Sequence, residues 1–149
     1  MDAAAVRTPP TPAVPARDGV RLTLRIPAPG ERVPVDGAWW PRSTDLAAEL
    51  PALITALDGE GVVVSRIAFA LAAWDADPPR RVVAGGRVVR TGGFRVLDPQ
   101  LVSLTRRTGG APLELLVVPP GTGPGTAAHA LMAATTPATL RKAIAADAR

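Results

Sequence analysis

RRVVAGGRVVRTGGFRVLDPQLVSLTRRTGGAPLELLVV, Arg80–Val118, carries the strongest strand-and-turn signals in the chain. Short apolar runs rich in β-branched residues, around 81–84, 87–91, 94–97 and 101–106, are separated by Gly85-Gly86, Gly92-Gly93 and Asp98-Pro99. Gly109-Gly110 then turns the chain into Leu113–Val118, an apolar run that reads as a central strand. Strands joined by such short connections pair antiparallel, since a parallel pair needs a crossover of roughly a dozen residues. The stretch therefore predicts a twisted, curved antiparallel sheet.

Working outward, Val20, Leu22, Leu24 and Ile26 alternate with Arg21, Thr23 and Arg25, the period of a strand with one wet face. Pro27, Pro29 and Pro34 hold an extended loop as far as Asp36-Gly37. Ser43 or Thr44 then caps a helix with Asp45 in its first turn, and Leu46, Leu50, Leu53, Ile54 and Leu57 share one face. Pro51 predicts a kink or restart near Leu50. Val62–Trp74 reads as one long buried strand. The C-terminal part is helical: Thr126–Ala134 first, then a helix capped by Thr136 with Pro137 at its first position. Residues 1–18, with Pro9, Pro10, Pro12 and Pro15, read as a disordered arm. The expectation is a single α+β domain over 19–135, with a C-terminal helix over 136–149. It comprises a curved antiparallel sheet of about six strands, one inserted helix and two C-terminal helices.

Composition excludes several chemistries. At 149 residues the chain supports one domain with a real core. It has no cysteine, hence no disulfide framework and no thiol chemistry, as suits a reducing cytosol. The longest apolar run, Ile67–Trp74, has eight residues, far short of the roughly 20 that a membrane helix needs. No basic-then-apolar export pattern opens the chain. The expected setting is cytoplasmic, with no membrane contact. Sixteen arginines against one lysine, Lys142, mark a GC-rich genome, so arginine abundance alone argues little. Its distribution argues more. Seven arginines and one acid lie between Arg80 and Arg107, an excess of six positive charges in a chain whose net charge is +4.

The candidate sites follow from these biases. Trp39-Trp40-Pro41-Arg42 holds two of three tryptophans in a chain that is 3% aromatic. Adjacent indoles rarely share one core pocket, so one is expected at a surface, with Arg42 stacking on it or forking onto an anion. Trp39, Trp40, Arg42 and Arg95 are the expected contact surface; the alternative is that the pair only completes the core. Arg87, Arg90, Arg106 and Arg107 are candidate phosphate or nucleic-acid contacts, and Arg87, Arg95 and Arg106 would engage phosphates if they project to one side, although Phe94 is the segment's one aromatic. Gly121–Thr126 has the placement of a phosphate loop but lacks Gly-Lys-Ser/Thr and runs G-x-G-x-G, so it reads as a connector. His129 is the only histidine, with neither a second histidine nor a cysteine to complete a metal site. Ser43, Ser65 and Ser103 sit in no nucleophile elbow. No catalytic residue, cofactor or metal is expected.

The block Asp36-Gly-Ala-Trp-Trp-Pro-Arg-Ser-Thr-Asp-Leu-Ala-Ala-Glu-Leu-Pro51, with Trp74, Gly92 to Asp98-Pro99 and Leu113 to Pro120, resembles a family of small actinobacterial proteins grouped as a domain of unknown function. The resemblance spans most of residues 20–135 and implies a single domain. It carries no activity to transfer. The leading functional expectation is a non-enzymatic binding domain for a protein partner. Two alternatives are nucleic-acid binding through Arg80–Arg107 and a small-ligand or enzymatic pocket at Trp39-Trp40.

Overall fold

The computed structural model describes residues 19–25, 35–75, 78–133 and 135–147; the expected arm over 1–18 and the proline loop over 27–34 lie outside the described residues. The chain folds as β1 (Leu22–Leu24), β2 (Gly37–Trp39), α1 (Leu46–Gly59), β3 (Val64–Ala70), β4 (Arg81–Ala84), β5 (Arg87–Phe94), β6 (Leu101–Arg106), β7 (Leu113–Val117), α2 (Pro124–Ala133) and α3 (Pro137–Asp147). This is the expected α+β class with the expected three helices.

The sheet differs from expectation in size and in pairing. It has seven strands, in the order β1-β2-β7-β6-β3-β5-β4, and it is mixed. β2 runs parallel to β7, and β3 parallel to β5, while the other four pairings are antiparallel. The β4–β5 hairpin forms as its sequence indicates: Gly85 and Gly86, at φ +62° and +76°, supply the two left-handed residues of a tight two-residue turn. That hairpin then docks so that β5, not β4, lies against β3. The chain from Phe94 to Leu101 hops over β3 before pairing as β6. Six residues easily span the roughly 10 Å involved, so loop length did not forbid the crossover.

Gly92-Gly93 does not break the hairpin either. Phe69 and Ala70 of β3 pair with Gly93 and Phe94, and a Cβ at Gly93 would stand 2.3 Å from Leu71 Cδ2. The glycine accommodates its neighbour within one continuous strand, so 94–97 is no separate strand. Val62–Trp74 is likewise shorter as a strand than expected: it leaves the sheet at Ala70 and enters a 3-10 turn over Leu71–Ala73.

α1 begins one residue later than expected. The Asp45 carboxylate accepts from the Ala47 amide at 3.1 Å, making Asp45 the cap, while Ser43 donates to Glu49 and Thr44 to Asp75. The helix runs through Pro51 unbroken. The hydrogen bond that proline cannot make would have gone to the carbonyl of Ala47, an exposed residue. α3 has the cap the sequence indicates: Thr136 Oγ1 accepts from the Thr139 amide at 3.1 Å.

Two cores flank the sheet. On one face Leu46, Leu50, Leu53, Ile54 and Leu57 of α1 pack against Trp39, Ile67, Phe69, Val89, Val102, Leu104 and Leu115. Trp39 is fully buried there and stacks on Trp74 with centroids 5.6 Å apart. On the other face α2 and α3 bury Ala127, Ala130, Leu131 and Leu140 against Ala38, Leu116 and Val118 of β2, β7 and the residue following β7. This second layer covers only the β1-β2-β7 side. A bulge between Val64 and Arg66 of β3 shapes both faces. It lets Val64 and Ile67, three residues apart, enter the same core, and turns Arg66 to the opposite, exposed side.

Replacing Trp39 with alanine removes a stacked, sealed indole and should cost about 3–5 kcal/mol, whereas Trp40→Ala, at a half-buried site, should cost clearly less. Urea midpoints of the two variants check this order; equal losses would contradict the assignment of Trp39 as the core anchor.

Candidate functional site

The tryptophan pair divides between core and rim. Trp39 lies inside the α1 core. Trp40 is half-buried against the α2–α3 core, its Nε1 donating to the carbonyls of Pro119 (3.1 Å) and Pro120 (3.4 Å). The Arg21 guanidinium covers its ring at 3.7 Å from the centroid, and donates to the Trp40 and Pro41 carbonyls. Burial, then the nearby charge of Arg42, lowers the Arg21 pKa from its ordinary value, with Glu49 partly offsetting. The cation stacked on Trp40 is thus Arg21, not Arg42. Arg42 is exposed and donates through Nη1 to the Gly19 carbonyl at 2.7 Å, while its amide donates to Glu49. Arg95, also exposed, follows β5; β2 and β5 end at the same end of the sheet but four strands apart, about 19 Å. Trp40 and Arg95 do not form one surface.

The basic segment is also divided. The strand period sends Arg87 toward α1, where it makes a bidentate pair with Asp58 at 3.0 Å and also bonds the Val64 carbonyl. Arg106 donates to the Ala111 carbonyl. Arg107 is exposed beyond β6 and Arg95 beyond β5. Arg87 and Arg106 fall on the same, α1 side of the sheet, with Val89, Leu104 and Val64, the partner of Arg106 across β3; each is engaged locally, and Arg95 lies beyond β5.

Arg90 has the opposite fate. The register places it directly across from Arg66 of β3 on one side and Arg81 of β4 on the other. All three are exposed on the face that α1 does not cover, and with Arg80 and Thr91 they line a groove of about 290 Å³. Among the described residues none of these four guanidiniums makes a hydrogen bond or ion pair. Like charges directly opposite on neighbouring strands destabilise a sheet. Three in a row, with Arg80 beside them, form a surface whose charge an anion would relieve, and guanidinium forks suit oxyanions best.

Arg66 escaped the sequence reading because it stands outside the arginine-rich segment, in a strand read as buried. The available signal was a lone charge in an otherwise apolar run; what turns it outward is the bulge. The same exposed face carries Val83, Val88 and Phe94, with fractional exposures of 70%, 53% and 48%.

Further along this face Glu114 of β7 accepts from Ser103 at 3.1 Å, and its backbone amide donates to the Asp36 carboxylate at 2.8 Å. Burial raises the Glu114 pKa above its ordinary 4.5; the Asp36 charge adds to this and the Ser103 hydroxyl opposes it. His129 is exposed on α2. Among the described residues no three metal-ligating side chains gather, and no helix is long and apolar enough to cross a membrane.

Residues 21–134 match the profile of a family of unknown function, DUF5994, and the chain belongs to that family. No curated protein and no solved structure matches it.

Glu114 gives a pH test. A carboxyl whose folded pKa is raised stabilises fully below its unfolded value, and that contribution is lost as pH rises through the folded value. Glu114→Gln should therefore raise the melting temperature at pH 7. The gain over wild type should vanish below about pH 4. Paired thermal melts at the two pH values check the sign.

Proposed function

We propose that this protein is a small non-enzymatic binding domain whose working surface is the open side of the sheet over β3, β5 and β4, and that it recognises an anionic partner. One observation carries the reading: Arg66, Arg90 and Arg81 stand in register on three adjacent strands, without an acid to pair them among the described residues. A row of this kind is an electrostatic cost in the isolated chain and a ready cradle for phosphate or carboxylate groups. The reading keeps the basic segment as the functional region. It moves the contacts from Arg87, Arg106 and Arg107 to Arg90 with Arg66, Arg80 and Arg81.

A protein partner at Trp40, Arg42 and Arg95 is less well supported. Trp40 commits its N–H to Pro119 and Pro120 and one ring face to Arg21. A ligand pocket between the two indoles has no room, since Trp39 is packed inside the core.

Retention on immobilised heparin tests the proposal. Wild type should be held at low salt, and Arg66→Ala combined with Arg90→Ala should elute at clearly lower salt, since each lost phosphate-like contact flattens the salt dependence. Arg95→Ala combined with Lys142→Ala, respectively five residues along the chain from Arg90 and on α3, removes the same charge and should elute with wild type. Equal weakening of both double variants would reduce the row to a share of general basicity and overturn the proposal.

A further inference from the structure

We propose that the anionic partner is a single-stranded nucleic acid, its phosphates held along Arg66–Arg90–Arg81 and a base stacked on Phe94; this rests on the anion-binding reading above. Phe94 lies on β5 four residues beyond Arg90, hence on the same face and about 13 Å along the strand. A Cβ built on Gly92 would meet Phe94 Cε2 at 3.4 Å and Cζ at 3.7 Å, so that edge of the ring leans back over the glycine, toward the arginines. The residue keeps 48% of its surface exposed. An exposed aromatic ring on a sheet face is the element on which unpaired bases stack.

The floor beside it suits a flat ligand. Ala68 pairs with Gly92 across β3 and β5, and with Ser103 across β3 and β6, so three small residues lie in line between the arginine row and the Ala70–Phe94 pair. Among the described residues, Gly92 is the only position on β5 between Arg90 and Phe94 on this face. An acidic peptide would satisfy the guanidiniums but gain nothing from the ring face. A duplex keeps its bases stacked within the helix, out of reach of a platform on a sheet. A single strand uses both features, as sheet-borne binding sites for unpaired bases do.

The probe is fluorescein-labelled oligothymidylate of about 12 nucleotides, within the span one such sheet covers, read by anisotropy at low salt. Wild type should bind it more tightly than a duplex of equal length, and Phe94→Ala should weaken it about 5- to 150-fold, the range for losing one stacked base. Phe94→Leu keeps apolar bulk without a π face and should weaken it similarly, which separates stacking from packing if the alanine variant loses its fold by circular dichroism. Heparin retention of the folded Phe94 variant should stay at the wild-type value, because heparin offers no base. Undiminished oligothymidylate binding by Phe94→Leu, or preference for the duplex, overturns the inference. Failure of wild type to bind the oligonucleotide while heparin retention still depends on Arg66 and Arg90 overturns this inference alone and leaves the anion-binding reading standing.

Discussion

The strand period of β3 is broken once, between Val64 and Arg66, and both faces of the molecule depend on that break. Without the bulge, regular alternation would put Val64 and Arg66 on one face and Ile67 on the other. The α1 core would then receive a guanidinium in place of Ile67, at the centre of a layer of leucines. Burying an unpaired charge there costs far more than the pairing lost at one bulge. The bulge satisfies the core, and the same rotation delivers Arg66 to the open face opposite Arg90. Core packing and the candidate site are thus two results of one irregularity.

Asymmetric layering makes that face available. α1 packs its leucine stripe over the β3-to-β7 face, whereas α2 and α3 cover only the side built from β1, β2 and β7. The two helical layers use residues of opposite parity in the same strands, as Leu115 and Leu116 of β7 show by entering different cores. Where the second layer stops, at Leu101 and Ile144, the strands change character. β3, β5 and β4 present arginines, small residues and isolated apolar side chains there.

The tryptophan pair illustrates how one composition signal splits in three dimensions. Consecutive residues at a strand end point to opposite faces, so the two indoles fall into different cores. Trp39 stacks on Trp74, which the sequence places 35 residues away with no pattern to link them. Trp40 ties the strand end to the Pro119–Pro120 segment and lends its ring to Arg21.

What the residues determine alone is what depends on near neighbours. The leucine spacing of α1, the Gly85-Gly86 turn, the Thr136 cap and the α+β class are local patterns, and each was legible. Strand partners were not, because alternation states which side of a strand is wet without naming the strand beside it. Hence the parallel pairings, the seventh strand, the continuous β5 and the neighbour of Arg90 across β3 came only from packing. Arg87 and Arg106 do share a face, but it is the α1 side, where Asp58 and the Ala111 carbonyl engage them, and no sequence pattern names those partners. Only the docking of the β4–β5 hairpin against a bulged β3 brought Arg66 into line with two arginines from another part of the chain.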